Sequence, residues 1–388
     1  MKKRFLAFLI LLTLLVFPAL SESVPSASAP AVTDCGLDLA GSGVHYPQLS
    51  GMASTQLQES VNARILAEGN VETYLNRLPL LMQNPTGITV DYDATLTGDI
   101  FSCVLSAEGA LTEGRPTHVW HTLNIDLTTG EDITLADLFL DPDAALEALT
   151  DYLDWTVSPA LSAHLQNSSL TPLPEAFALS AAGLTLYYPI GQLSTLSDRA
   201  GAITVLWYEL REHLRLGEGS VLRRIGAEAM VVAPAEGRRS VAEALSEGAL
   251  PGIPVSLGGS VKDAVAAHRM LTDADLYQDG RMFALEDAAF RQVWLLTDAL
   301  TEGWEHSVIS GIRADRFNLC GLYPGLSWPQ VSAILGQPDA EVALDPEQAE
   351  AYRLETGVSR YYTLGAVRLR LHFDEAEALT SLFLFPTQ

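Results

Sequence analysis

Residues 117–139, THVWHTLNIDLTTGEDITLADLF, constrain the fold more than any other stretch, because three local signals agree in them. His121, Leu123, Ile125 and Leu127 alternate with Trp120, Thr122, Asn124 and Asp126, the period-two pattern of a strand with one buried face. Thr128, Thr129 and Gly130 then supply a turn in which Gly130 is free to take positive φ. Thr134 with Asp137 reads as a capping box that opens a helical turn over 135–139. The chain must therefore contain a sheet with one covered face that hands over directly to helix.

The flanking segments extend this to an α+β fold. Ile88, Val90, Tyr92, Ala94 and Leu96 alternate, and after Thr97, Gly98 and Asp99 a partner strand runs over 100–107, which predicts a hairpin continued by the 117–127 strand as an antiparallel meander. Thr55 and Gln58 form a capping box for a helix whose stripe is Leu57, Val61 and Ile65. Ala145, Leu146, Leu149, Leu153 and Val157 recur at helical spacing after Asp141 and Pro142, the domain's long helix. A second hairpin turns at Ala181, Ala182 and Gly183, and Ile203, Val205 and Trp207 finish the sheet.

From about 233 to 255 the chain becomes rich in Ala, Gly, Glu and Pro with one short amphipathic helix, which predicts a linker. Beyond it, 256–388 reads as a smaller α+β domain: a helical region capped by Ser260, strands over 290–299 and 304–312, a helix over 327–335, and a meander of strands at 351–355, 359–363, 367–373 and 381–385. The first domain spans 44–232. Residues 30–43, rich in Ser, Ala, Pro and Gly, read as a spacer.

Lys2, Lys3 and Arg4 precede an apolar run over 5–17 that is too short to span a membrane comfortably, and small residues follow, so residues 1–29 read as a secretory signal peptide, with an uncleaved anchor as the alternative. Asp34 before Cys35 argues against lipoprotein processing and a lipid anchor. The chain carries 48 acidic and 23 basic residues; without the first 29 the counts are 47 and 20, a net charge near −27. Such a surface repels nucleic acid and anionic wall polymers and favours cationic partners. Three cysteines make a poor disulfide framework. Cys103 shares a face with Phe101, Leu105 and Ala107 and reads as a small buried hydrophobe; a bridge between Cys35 and Cys320 is the pairing left open.

Several of these segments carry a family resemblance. Residues 117–139, together with Tyr46-Pro47-Gln48-Leu49-Ser50-Gly51, Val61-Asn62-Ala63-Arg64-Ile65 and the stretch 184–214, resemble the extracellular domain shared by RsiV-type anti-sigma factors and the non-catalytic part of PdaC-type peptidoglycan deacetylases, over roughly 44–216. The resemblance implies extracellular recognition in a Gram-positive cell envelope, since the RsiV ectodomain binds lysozyme. It does not imply an anti-sigma factor, because four residues ahead of the apolar run cannot hold a sigma-binding domain. Gly321, Gly325, Ser327, Val331 and Leu335-Gly336-Gln337-Pro338 resemble, one residue out of step, the opening of BamE-like and inhibitor-like domains over about 308–388.

Catalytic patterns are sparse. His118 and His121, three apart in a strand, point to opposite faces and cannot chelate one ion together, and the other histidines lack ligand spacing. Asp273, Asp275, Asp279, Gly280 and Glu286 are similar to a calcium loop, but the glycine comes one place late and Tyr277 occupies a ligand position, so a polar turn between helices is expected. The His-x-x-x-His motif of a deacetylase is absent. The expectation is a binding protein without cofactor or metal, recognising a cationic protein such as lysozyme; the alternatives are a peptidoglycan-binding or carbohydrate-binding accessory module, or a cell-wall hydrolase whose carboxylate pair the sequence does not single out. His118, Trp120, Tyr187 and Tyr208 are the candidate binding residues, the two tyrosines because alternation turns them outward.

Overall fold

The computed structural model describes residues 29–39, 41–81, 87–112, 115–156, 176–187, 202–268, 275–277, 280–285, 292–298, 303 and 306–387. The signal peptide expected at 1–29, all but its last residue, lies outside them, as do Asp273, Asp279 and Glu286 of the acidic turn expected at 273–286. The architecture is α+β, with antiparallel-dominated sheets packed by helices.

Strand pairing begins before residue 44. β1 (Ala31–Leu39) pairs antiparallel with β2 (Ser42–Ser50) across a turn at Gly41, φ +83°. The segment expected as a spacer is thus a strand. Most β1 side chains are exposed, so the strand is held by its backbone hydrogen bonds and leaves no apolar alternation to read. β2 runs parallel to β3 (Ile88–Thr97), and a parallel pair needs a crossover, supplied here by the helices Thr55–Glu68 and Val71–Leu81. The first of these is capped by Ser54, whose hydroxyl accepts from the Leu57 N–H at 3.2 Å, one residue earlier than the expected Thr55.

The hairpin of β3 with β4 (Ile100–Thr112) forms as the alternation predicts, Thr97 opposite Ile100, and β5 (Arg115–Asp126) continues it. Val61, Ile65, Val71, Tyr74 and Leu78 of the two helices pack on one face of this five-stranded sheet against Val90, Phe101, Cys103, Leu105 and Leu123. After β5 the Asp137 carboxylate accepts from the Thr134 N–H at 2.8 Å, and the short helix Leu135–Leu138 follows. The longer helix Pro142–Thr156 buries Ala145 and Leu149 in a second core.

β6 (Phe177–Leu179), β7 (Gly183–Tyr187) and β8 (Ala202–Leu206) do not complete the first sheet; they form a separate three-stranded sheet over its other face. Buried polar groups join the two. Ser102 Oγ donates to Asn124 Oδ1 at 2.7 Å, Asn124 Nδ2 donates to the Phe177 carbonyl at 2.7 Å, and the Leu179 N–H donates to Ser102 Oγ at 2.7 Å. Trp207 leaves the strand and begins the 3-10 helix Trp207–Leu210, fully buried, with Nε1 donating to the Ser180 carbonyl at 2.9 Å.

The expected linker at 233–255 is part of the C-terminal core. Its helix Gly237–Ala244 buries Val241, and Leu245, Leu250 and Val255 follow it inside. Next come the helix Val261–His268, whose Ser260 cap accepts from the Asp263 N–H, then β9 (Asp275–Tyr277) and β10 (Gly280–Ala284), so strands stand where a turn between helices was expected. β11 (Val293–Thr297) and β12 (Gly311–Ala314) lead to the helix Trp328–Leu335. β13 (Ala340–Leu344) precedes the helix Pro346–Ala351, so the strand expected at 351–355 is absent; Asp345 caps that helix and Pro346 opens it. β14 (Gly357–Leu364), β15 (Val367–Asp374) and β16 (Leu379–Pro386) form the expected meander. These strands make one antiparallel sheet in the order β13-β14-β15-β16-β12-β11-β10-β9. All three cysteines are free, Cys103 and Cys320 buried.

Candidate functional site

Strand alternation sends the face of β3 to β5 that is not covered by helices towards the three-stranded sheet. On that face, β5 carries His118 and Trp120, whose ring centroids lie 4.1 Å apart, and Tyr187 of β7 approaches Trp120 at 5.8 Å. His118 Nε2 and the Ser106 hydroxyl meet at 2.6 Å, and Glu108 lies 3.4 Å from Nδ1. His121 turns the other way and meets the Tyr74 hydroxyl at 2.9 Å, its burial lowering its pKa. The opposite orientation of the two histidines follows the strand period.

Three of the four candidate residues, His118, Trp120 and Tyr187, therefore come together. Tyr208 does not join them. It lies in the 3-10 helix after β8 and stacks on Tyr323 of the C-terminal segment at 5.5 Å and 10°, with the Arg211 guanidinium 5.4 Å over the Tyr323 ring. Both tyrosines were expected to stand outward; both are half-buried against other rings.

Tyr187 also borders a cleft of about 700 Å³. One wall is the helix-free face of the five-stranded sheet, through Thr95, Ser102 and Val104. The second is the three-stranded sheet, where Ala178, Thr185 and Thr204 stand in register and the two threonine hydroxyls meet at 2.8 Å. The third comes from residues 250–254 and 316–319. Arg316 crosses between the last two: its guanidinium donates to Glu209 at 2.7 and 2.6 Å and to the Thr204 carbonyl at 2.6 Å. Glu209 also accepts from the Leu206 N–H at 2.7 Å. The pair is buried, with side-chain exposures of 4% and 10%. Asn318 is 4% exposed, and its Oδ1 has no hydrogen-bond partner. The described lining includes neither histidine nor cysteine, and its carboxylate, Asp93, is exposed.

Sequence reasoning missed Glu209, Arg316 and Asn318, which no spacing rule joins: 107 residues separate the ion pair. Among the described residues no group of three or more His, Cys, Asp or Glu side chains is arranged to hold a metal ion.

No family model matches this sequence, and no curated protein matches it. Similar solved structures include a DUF3298-family protein of Bacteroides fragilis, 15% identical, covering 50% of this chain and 96% of its own, with a TM-score of 0.34. A DUF3298-family protein of Pseudomonas aeruginosa is 11% identical over 48% of this chain and 94% of its own, TM-score 0.36. A DUF4309-family protein of Bacillus subtilis is 13% identical over 39% of this chain and 97% of its own, TM-score 0.25. Both families are domains of unknown function, and likenesses this distant transfer no activity or partner to this chain.

Proposed function

We propose that this is a non-catalytic binding protein of a Gram-positive cell envelope, exported through its N-terminal segment, whose acidic surface takes a cationic protein such as a lysozyme. The observation that carries the proposal is charge: 48 acidic residues against 23 basic ones. Folding leaves the excess of acid at the surface. Arg313, Arg316, Arg360 and Arg370 are buried, and Arg224 is committed to Asp99 at 2.9 Å and Asp126 at 2.6 and 2.7 Å. Positive charge is thereby withdrawn inward while carboxylates such as Asp91, Asp93, Glu131 and Asp132 remain exposed. A field of one sign steers a cationic partner and loses strength with salt. The resemblance of residues 44–216 to the RsiV-type ectodomain supports the same partner class, and Trp120 and Tyr187 supply the aromatic anchors that dominate such interfaces.

The test is calorimetry with a cationic animal lysozyme at about 20 mM and about 300 mM salt, ionic strengths at which the screening length differs several-fold. Binding at low salt that weakens at high salt is expected, with Trp120→Ala weakening it by about 1–2 kcal/mol. Absence of binding at low salt rejects the proposal. Retention on purified cell wall that salt does not weaken would favour the peptidoglycan-binding alternative.

A further inference from the structure

We infer that the cleft between the two N-terminal sheets and the C-terminal segment binds a neutral, largely apolar small molecule of the monoacyl-lipid class, with an uncharged hydroxyl-bearing or amide-bearing head. The inference is independent of any cationic protein partner, since it concerns the interior of the fold and not its outer charge.

Size and lining set the class. A volume of about 700 Å³ lies within the roughly 300–1,000 Å³ of sites that enclose a small organic ligand. The space exists because the floor is built from small side chains: Ala178 and Ala202 stand on β6 and β8 where larger residues would fill it. Leu250, Ile253 and Phe317 face it from the C-terminal side. The wall at 250–254 is stiff and close. Pro251 and Pro254 restrict its backbone, and Gly252, at φ +78°, approaches so tightly that a Cβ there would lie 2.6 Å from Ala182 Cβ. A preformed apolar space of this kind needs little reorganisation to accept a ligand.

Charge sets the head group. The one buried guanidinium of the described lining, Arg316, is neutralised by both oxygens of Glu209, so it offers no free charge to a carboxylate or phosphate. The exposed Asp93 adds negative charge at the rim and disfavours an anion further. Asn318 is the built polar contact. A buried carbonyl acceptor without a donor is costly, and native proteins keep such groups where another molecule satisfies them. A hydroxyl or amide donor on the ligand fills that role in a cleft that Thr185 and Thr204 also line.

The experiment is titration of the full chain with 1-monolauroylglycerol below its critical micelle concentration, followed by calorimetry, with laurate as the anionic counterpart. One saturable site per chain is expected, with laurate at least tenfold weaker. Ala202→Phe, which fills the floor, and Asn318→Leu, which removes the acceptor, should each weaken 1-monolauroylglycerol at least tenfold. Asn318→Leu should also melt no lower than the parent protein, because it removes an unpaired polar group. No saturable binding of 1-monolauroylglycerol overturns the inference, as does equal binding by a folded Ala202→Phe or Asn318→Leu variant. Laurate binding as well as the neutral lipid overturns the assigned head group.

Discussion

At the scale of single residues, the C-terminal sheet holds a polar chain that runs through a buried histidine. Arg370 Nε donates to Ser359 Oγ at 3.0 Å, the Ser359 hydroxyl meets His372 Nδ1 at 3.1 Å, and His372 Nε2 meets the Glu355 carbonyl at 3.0 Å. A carbonyl can only accept, so Nε2 carries a proton; burial keeps the ring neutral, which leaves Nδ1 to accept from the Ser359 hydroxyl. Burial is the largest cause lowering its pKa to about 4, with Arg370 and Arg313 adding to it against the Glu355 carbonyl. The unfolded chain therefore takes up a proton near the ordinary 6.5 while the folded chain waits until about 4. Between those values the unfolded state binds more protons, so stability rises with pH and is lost as pH falls from 6.5 towards 4. The loss amounts to about 2–3 kcal/mol. Urea unfolding at pH 7 and pH 4.5 measures it. The gap between the parent protein and His372→Asn should narrow by that amount at the lower pH, and a gap that does not change removes His372 as the cause. Cys103 illustrates the same physics without the switch: burial pushes its thiol up to about 12, so it is an inert member of the core.

At the scale of elements, what was legible is what is governed by local chemistry. The turn at Gly130, the Thr134 and Asp137 box and the β3–β4 hairpin follow from alternation and turn residues, and all are formed. β1 and β13 were missed because both are edge strands whose side chains are mostly exposed; ladder hydrogen bonds hold them, and a ladder leaves no hydrophobic period in the sequence. The short amphipathic helix expected within 233–255 forms as Gly237–Ala244, but it is packed into the core where composition indicated a linker, and its glycine shows why composition misled. A Cβ at Gly237 would lie 2.5 Å from the Ile334 carbonyl oxygen and 2.7 Å from Ile334 Cγ2, so the glycine permits helix-to-helix contact and does not mark flexibility. Gly→Ala in a helix ordinarily stabilises by about 0.4–1 kcal/mol. Gly237→Ala should do the reverse and cost about 1–3 kcal/mol through overpacking, since backbone and not a flexible side-chain tip must yield. Chemical denaturation gives the sign, and a stabilised variant would sink this account of the contact. The candidate site divides the same way. Strand period placed His118 and Trp120 on one face, but the cleft beside them is assembled from strands of all three sheets and two distant loops whose meeting only the tertiary fold decides.

At the scale of the whole molecule, a buried ion pair and several less deeply buried contacts cross from the N-terminal sheets to the C-terminal segment. Arg316 on Glu209, Tyr323 on Tyr208, the Gly321 N–H donating to the Met230 carbonyl at 2.9 Å and the close approach of Gly252 to Ala182 tie the two parts together. The ion pair is the strongest link in this set, because removing one partner strands a buried charge, a loss of about 3–5 kcal/mol. Glu209 also holds the Leu206 N–H and so fixes the end of β8, which makes the loss local to the three-stranded sheet. The parent protein should therefore open its β4 and β15 amides with one common free energy, as a single cooperative unit. Arg316→Met should break that equality: amides of β4 and β7 exchange faster while those of β14 to β16 keep their protection, as read by hydrogen exchange with mass spectrometry. If the parent already shows two separate opening free energies, the coupling through Arg316 is not what unites the halves; if the variant still shows one, the crossing aromatic and backbone contacts suffice without it.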